Sequence, residues 1–199
     1  MDRVVGGEDR GQSMAKKPAT YADLEALPEH VVGEIIAGEL YASPRPSALH
    51  VTAESYLQIL LGRAFGLRDG DGPGGWLILM EPELHLGADV LVPDLAGWRR
   101  ERLPSSPKVA AFTLAPDWVC EVLSPSTRNL DRKVKLPVYA REGVRHVWFV
   151  DPVTRTLEVF RLDEGRYTLI ATHSGTGSVR AEPFEAVALE LAVLWDESH

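Results

Sequence analysis

The chain has 199 residues, of which 45% are hydrophobic and 25% are charged, and its formal net charge is −8. This length and composition are typical of one globular domain that buries a substantial core. The single cysteine, Cys120, excludes an internal disulfide framework and a cysteine-based zinc site, which agrees with a reducing, cytoplasmic location. Apolar runs stay well short of the roughly 18 residues of a membrane span, so we expect no membrane partner.

The N-terminus lacks the apolar core of a signal peptide. Met14, followed by Ala15 and two lysines, would serve as an alternative start. We therefore expect residues 1–13 to be a disordered extension and residues 14–199 to form a single domain.

Basic side chains are unevenly distributed along this acidic chain. Residues 97–145 carry ten Lys and Arg against five Asp and Glu. A basic segment on an acidic body fits a polyanion that approaches one face. A normally solvated helix and loop explains the same count equally well.

The first elements in chain order are a helix and a hairpin. Residues 20–27 predict a short helix, with Thr20 and Asp23 at the capping-box positions. Residues 31–46 predict a β-hairpin that turns at an Ala-Gly pair and carries Glu34 in its first strand. An exposed edge residue and a functional acid explain Glu34 about equally well.

Residues 46–65 predict an amphipathic helix, because apolar side chains recur at three-to-four spacing. His50 and Glu54 lie one turn apart on the flank of the apolar stripe. A two-ligand metal pair is one interpretation, but an ordinary surface pair is favoured. Residues 66–75 form a Gly-rich connector that lacks the spacing of a calcium loop and the ending of a phosphate loop.

The remaining elements are predicted to be mainly strands, at residues 76–80, 83–86, 90–98, 118–123, 147–150, 157–161 and 167–171. Asp94 follows Pro93 inside one of these runs, which indicates a bulge or an edge position, although a turn-capping aspartate is a common alternative. Residues 189–194 finish the sheet or cover an edge. Helices at both ends of a mixed set of strands indicate a single α/β or α+β domain.

Residues 117–152 predict a strand, a turn, a basic helix and a second strand. Glu121 lies in the middle of the apolar first strand, where an unpaired charge is very costly, so it requires a cation. Asp94 on a neighbouring strand can converge with it. Carboxylate oxygens are ligands that Mg²⁺ favours, and an ion held there would polarise a phosphoryl oxygen and lower the pKa of bound water.

Several motifs taken together resemble one family. They are PDLAGW, a strand with Glu121, SPST, a basic helix, YAREGV and WFVDP, and the resemblance extends from residue 20 to about residue 162. The chain resembles the Uma-two (Uma2) family of restriction-endonuclease-like proteins, in the PD-(D/E)XK nuclease superfamily. This resemblance implies a restriction-endonuclease-like core, a central mixed β-sheet flanked by helices. It also implies DNA phosphodiester cleavage that depends on Mg²⁺ or Mn²⁺.

The resemblance transfers roles to individual residues. Asp94 matches the acid of the family's Pro-Asp motif and Glu121 matches the acid of the second strand, so these two would bind the metal. Glu34 matches a glutamate before the hairpin turn that often serves as an additional acid of the site. The superfamily's lysine would stand two residues after Glu121, where this sequence has Leu123.

The lysine of this family instead lies on the following helix. Lys135 matches it by standing four residues before Tyr139, and Lys133 is the alternative. Asp131, Lys135 and Tyr139 would share one helix face at four-residue spacing. Pro137 lies inside the predicted helix and predicts a kink or break there.

Five basic side chains are candidate contacts to DNA phosphates: Arg99, Arg100, Arg128, Arg132 and Lys133. The leading interpretation is a Mg²⁺-dependent DNA endonuclease that uses Glu34, Asp94, Glu121 and Lys135. The alternative is a catalytically inactive nucleic-acid- or protein-binding module that retains the nuclease fold. A homodimer fits an enzyme that cuts both strands, although no stretch predicts an interface.

Overall fold

The computed structural model describes residues 17–67, 70 and 72–196. The extension predicted at residues 1–13 and part of the predicted connector lie outside these residues. The described chain forms a six-stranded mixed sheet, a four-stranded sheet and a two-stranded ribbon, with helices packed against them. This is the mixed α and β architecture, with a large mixed sheet flanked by helices, that the sequence predicted. No helix of the described residues is long and apolar enough to cross a membrane.

The described residues form five α-helices and twelve strands, joined by connections of up to 18 residues. The helices are α1 (Tyr21–Glu25), α2 (Ala48–Leu61), α3 (Arg128–Leu130), α4 (Leu136–Arg141) and α5 (Leu191–Leu194). The first strands are β1 (Val32–Ile36), β2 (Glu39–Ser43), β3 (Trp76–Met80), β4 (Leu84–Leu86), β5 (Asp89–Leu91) and β6 (Leu95–Arg99). The later strands are β7 (Trp118–Val122), β8 (His146–Asp151), β9 (Thr156–Asp163), β10 (Arg166–Ser174), β11 (Ser178–Val179) and β12 (Leu189–Glu190). Two π-helical turns, Gly62–Gly66 and Asp131–Lys135, follow α2 and α3.

The six-stranded sheet has the order β10-β9-β8-β7-β6-β3. Strands β7 and β8 are parallel, whereas the other neighbours in this sheet are antiparallel. Parallel neighbours require a crossover connection, usually helical, that packs on the sheet. The segment from α3 through the π-helical turn to α4 is this crossover. The topology therefore places the basic helix beside β7.

The strand predicted at residues 90–98 is two strands in the structure. β5 belongs to the four-stranded sheet, of order β2-β1-β5-β4, and β6 belongs to the six-stranded sheet. The chain crosses from one sheet to the other at Val92, Pro93 and Asp94. A proline has no N–H to donate to a sheet ladder, which favours a break at this point. The prediction of one continuous strand is therefore wrong, and Asp94 lies at the junction of the two sheets.

Side chains alternate along β7 between two hydrophobic clusters. Trp118 and Cys120 belong to the cluster that includes the apolar stripe of α2. Val119 and Leu123 belong to the cluster that includes the apolar side chains of α4. Because strand side chains alternate with a period of two, Glu121 faces the crossover helix.

Candidate functional site

A cleft of about 260 Å³ lies between the two larger sheets and the crossover helix. Its walls come from β1, the β2–α2 connection, the junction between β5 and β6, the end of β7 and the π-helical turn before α4. Its ionisable lining includes Glu34, His50, Asp94, Glu121, Asp131 and Lys135. The four residues to which the resemblance assigns catalysis are thus brought into one cleft.

Lys135 lies among the carboxylates of this cleft. Its side chain is 3% exposed, and its Nζ lies 2.8 Å from Glu121 Oε1 and 3.1 Å from Glu34 Oε1. Nζ also lies 3.7 Å from Asp131 Oδ1 and donates a hydrogen bond to the Val92 carbonyl at 3.3 Å. Lys133, the alternative lysine, is exposed. The geometry therefore favours Lys135 as the lysine of the site.

The kink predicted at Pro137 takes the form of a widened turn. Asp131–Lys135 is π-helical, and α4 begins directly after it with Pro137 in its first turn. A proline lacks the N–H of the regular helical hydrogen bond, and the wider hydrogen-bonding pattern of the preceding turn, in which the Leu136 N–H donates to the Asp131 carbonyl, accommodates it. Tyr139, one turn further, donates its hydroxyl to Glu121 Oε1 at 2.6 Å. The distorted helix thus presents Asp131 and Lys135 to the cleft and places Tyr139 in the core behind Glu121.

Glu34 and Glu121 are both buried, with 4% and 2% of their surface exposed. The interpretation of Glu34 as an exposed edge residue is therefore wrong. Glu34 Oε1 accepts a hydrogen bond from the Val92 backbone N–H at 2.8 Å in addition to its contact with Lys135. The hydrogen bonds made by the described residues engage Oε1 of each glutamate. Oε2 of each glutamate therefore remains available to coordinate a metal ion or to accept a further hydrogen bond.

Asp94 connects the two sides of the cleft. Its Oδ2 accepts a hydrogen bond from the Val122 backbone N–H at 2.5 Å, and its Oδ1 lies 3.0 Å from His50 Nε2. Leu95 pairs with Cys120 across β6 and β7, so Asp94 stands beside Glu121 one residue further along. The backbone of β7 thereby orients one oxygen of Asp94, and His50 contacts the other.

His50 lines the cleft and Glu54 lies beside it in a cluster with Asp94, although the sequence favoured a surface pair over a metal pair at these two residues. They are 7% and 3% exposed, so the favoured interpretation as a surface pair is wrong. His50 Nε2 lies 3.9 Å from Glu54 Oε2, and the ligand atoms of His50, Glu54 and Asp94 all lie within 4.8 Å of one another. The available signal was their four-residue spacing on α2. The sequence does not reveal which flank of an amphipathic helix meets a sheet junction.

Burial raises the pKa of three carboxyl groups in the cleft. The pKa of Glu121 lies well above its ordinary value because burial outweighs the opposing effect of Lys135. Burial, together with Asp94, raises the pKa of Asp131 to about 6 although Lys135 opposes it. Burial and then Asp94 raise the pKa of Glu54 to about 7. These shifts express the cost of keeping several negative charges together away from water.

Neighbouring carboxylates raise the pKa values of the two basic groups, Lys135 and His50. Burial favours the neutral form of Lys135, but Glu121 and Glu34 outweigh burial and raise the pKa of the ammonium well above its ordinary value. Burial also favours neutral His50, but the hydrogen bond and charge of Asp94 raise its pKa. Lys135 is therefore a permanent cation near neutral pH.

Arg99 and Arg100 lie away from the cleft. Asp94 directly precedes β6 and Arg99 is its last residue. Five residues of extended strand separate them by about 17 Å. Its guanidinium carbon lies 4.3 Å from the centre of the Trp76 ring. Arg100 donates hydrogen bonds to the carbonyls of Trp76, Gly66 and Pro104.

The other three candidate DNA contacts lie on the crossover. Arg128 forms an ion pair with Asp151, and Arg132 forms one with Glu158 at 2.7 Å. Lys133 is exposed and has no ion-pair partner among the described residues. Arg45, which sequence reasoning did not single out, is likewise exposed and lines the cleft. Its position inside the SPRP motif was the available signal.

The mixed sheet, its parallel pair with a helical crossover and the cleft beside that crossover define a restriction-endonuclease-like fold. A solved structure of a putative nuclease from Anabaena variabilis has a TM-score of 0.71 to this chain at 21% sequence identity. The match covers 90% of this chain and 99% of that chain. The Uma2 family model, described as "Putative restriction endonuclease", matches residues 18–194. The chain belongs to the Uma2 family. Comparison with curated proteins found no match.

Proposed function

We propose that the protein is a DNA endonuclease that requires Mg²⁺ or Mn²⁺ to hydrolyse phosphodiester bonds. The observation that carries this proposal is an imbalance of charge in the cleft. Glu34, Asp94, Glu121 and Asp131 line it, and Lys135 is the ammonium that the described residues place among them. Membership of the Uma2 family supports a nuclease over other hydrolases.

The residues of the cleft fit a hard divalent cation. Buried carboxylates require a compensating cation, and Lys135 compensates only one charge. Asp94 and Glu121 would hold the ion, with Glu34 as a supporting acid, and Oε2 of each glutamate is not engaged by the described residues. Carboxylate oxygens are the ligands that Mg²⁺ prefers. Such an ion, when bound, supplies a polarised phosphoryl oxygen and a bound water of lowered pKa.

Lys135 acts as a fixed positive charge in this proposal. Because neighbouring carboxylates raise the pKa of its ammonium, it cannot serve as a general base near neutral pH. A preorganised cation beside the scissile phosphate stabilises the negative charge that develops on the phosphoryl oxygens. Tyr139 has a positioning role, since its hydroxyl fixes Oε1 of Glu121.

The set of residues proposed to contact DNA differs from the set that the sequence suggested. Arg99 lies about 17 Å from Asp94 along β6, Arg100 directly follows it, and both are engaged by protein groups, so neither belongs to the proposed contacts. The proposal keeps the crossover side chains Arg128, Arg132 and Lys133 and adds Arg45 at the edge of the cleft. Cutting both strands of a duplex commonly needs two sites, which a homodimer would supply.

One observation favours the alternative, an inactive binding module that retains the fold. The ammonium of Lys135 has three N–H donors. It already forms ion pairs with Glu121 and Glu34 and donates a hydrogen bond to the Val92 carbonyl. The Lys135 ammonium is therefore fully satisfied without DNA or metal, as expected for a cluster that serves only to stabilise the fold. Cleavage assays separate the two functions.

The test is cleavage of supercoiled and linear DNA in Mg²⁺, Mn²⁺ or EDTA. We expect cleavage with either ion and none in EDTA. Glu121→Gln and Lys135→Ala should each lower the rate by about two orders of magnitude or more. Glu185→Gln and Lys108→Ala are matched controls, because each removes the same charge from an exposed position that has no role in the proposal. Conversion of supercoiled DNA to the nicked form alone would indicate one active site per binding event.

Two results would contradict the proposal. Unchanged cleavage in both Glu121→Gln and Lys135→Ala would reject the assigned site. Duplex binding without cleavage under any ion condition would favour the inactive module.

A further inference from the structure

We propose that His50, Glu54 and Asp94 form a second divalent-cation position, one that prefers Mn²⁺ to Mg²⁺. This position shares Asp94 with the proposed nuclease site but does not depend on nuclease activity. Two of its ligands come from one face of α2, and the third comes from the junction between β5 and β6.

The distances between the three side chains fit a bound ion. His50 Nε2 lies 3.0 Å from Asp94 Oδ1 and 3.9 Å from Glu54 Oε2, and the ligand atoms of the set lie within 4.8 Å of one another. With metal–ligand bonds of about 2.1 Å, adjacent ligands of an octahedral ion lie about 3.0 Å apart and opposite ligands about 4.2 Å apart. The two distances from His50 Nε2 fall in this range, and the remaining separation stays within 4.8 Å. An ion would therefore enter with only small side-chain movements.

The burial of these groups is the second, independent observation. Glu54 is 3% exposed and His50 is 7% exposed, yet Glu54 Oε1 and His50 Nδ1 have no hydrogen-bond partner among the described residues. Buried polar atoms are normally hydrogen-bonded, and leaving one without a partner is unfavourable. A proton on Glu54 would neutralise its charge but would not by itself give Oε1 a partner. A cation at this position satisfies the carboxylate as a whole.

The chemistry of the donors identifies the class of ion. Mg²⁺ selects oxygen ligands and dehydrates reluctantly, whereas an imidazole together with carboxylates suits a first-row transition ion. The set contains no thiolate, and the only cysteine, Cys120, is buried outside it. Mn²⁺ accepts both carboxylate and imidazole ligands, as Zn²⁺ and Fe²⁺ also do, so the donor set prefers Mn²⁺ to Mg²⁺ and Mn²⁺ is the probe that tests it.

The experiment measures Mn²⁺ binding to the full chain without DNA. Electron paramagnetic resonance of free Mn²⁺ gives the affinity, and pulsed measurements detect coupling of bound Mn²⁺ to a histidine ¹⁴N nucleus. We expect this ¹⁴N signal in the wild type and its loss in His50→Gln. His50→Gln and Glu54→Gln should each bind Mn²⁺ about tenfold more weakly or worse, since even outer-shell changes cost 10–100-fold in metal affinity. The control His30→Gln, at an exposed histidine, should leave affinity and signal unchanged.

The wild-type spectrum decides the matter even where a variant fails to fold. Absence of Mn²⁺ binding, absence of the ¹⁴N signal in the wild type, or its persistence in His50→Gln would each overturn the assignment. The experiments distinguish a wrong assignment of this cation position from a wrong proposal of nuclease activity. Cleavage in Mg²⁺ without the ¹⁴N signal would reject this cation position alone, whereas a His50-dependent signal without cleavage would reject the nuclease alone.

Discussion

Glu54, which lies beside His50 and Asp94, changes its protonation state near neutral pH. Burial, with Asp94 and Glu81, raises its pKa from 4.5 to about 7, and His50 opposes the shift. Between these two values the folded protein binds more protons than the unfolded chain. Stability therefore falls as pH rises through this window. In EDTA we expect the free energy of unfolding to fall from pH 5 to pH 8, and to fall less in Glu54→Gln. Urea unfolding at several pH values measures both slopes.

The slope should shrink in Glu54→Gln but should not vanish. Asp131 and His50 also have raised pKa values, so both contribute stability that is lost in the same direction. Glu185→Gln, at an exposed position, should keep the wild-type slope. An identical pH dependence in Glu54→Gln and the wild type would show that Glu54 titrates normally.

Individual residues of the cleft could be predicted to different degrees. Motif matching selected Asp94, Glu121 and Lys135, and the structure brings all three together. The family motifs are local stretches of sequence, so they locate these residues without knowledge of the fold. Glu121 can also be recognised without the motifs, because an acid inside an apolar strand must find a partner. The contribution of His50 depends on how α2 meets the sheet junction. That is a tertiary contact which no local pattern encodes.

At the scale of elements, β6 depends on a glycine for its packing. A Cβ at Gly97 would lie 3.2 Å from the ring carbon Cε3 of Trp118 and 3.2 Å from Cε3 of Trp76, and both rings are buried. These rings lie in a packed core and cannot move freely. We expect Gly97→Ala to lower the free energy of unfolding by about 1–3 kcal/mol, the usual cost of overpacking. Chemical denaturation measures the change.

Gly177→Ala is the matched control for this prediction. A Cβ there meets nothing within 4 Å, so the substitution should be neutral or slightly stabilising through the unfolded chain. Equal stability of Gly97→Ala and the wild type would mean that the two tryptophans can adjust. The position of Asp94 would then depend less on tight packing of β6 than the structure suggests.

Two elements show why sequence reasoning recovered most strands and helices but not their breaks. Hydrophobic periodicity predicted strands that overlap β3, β7 and β8. It joined β5 to β6, because their apolar residues continue in one run and only the sheet assignment separates them. Pro137 predicted an interruption of the crossover helix, but the form it takes, a π-helical turn at Asp131–Lys135, depends on contacts with Glu121. Such breaks occur frequently at functional sites.

At the scale of the whole molecule, charge limits how DNA can bind. The chain carries a net charge of −8, and five carboxylates line the cleft: Glu34, Glu81, Asp94, Glu121 and Asp131. Arg128 and Arg132 are already paired with acidic side chains, which leaves Arg45 at the cleft and Lys133 on the crossover as exposed cations without an ion pair among the described residues. Few phosphates can then be neutralised, so DNA binding in EDTA should be weak and only moderately dependent on salt.

We therefore expect the plot of log affinity against log salt to have a slope of about −2 to −4, equivalent to a few phosphate contacts. Arg45→Gln and Lys133→Gln should each reduce the magnitude of the slope by about 1, because each removes one phosphate contact. Arg166→Gln, an exposed position on β10, removes the same charge elsewhere and should leave the slope unchanged. Fluorescence anisotropy of a labelled duplex in EDTA, over a series of KCl concentrations, measures all four slopes. Equal slopes in all four proteins would place the DNA on another face. An additional loss in Arg99→Gln would instead show that the duplex extends along β6 to its far end.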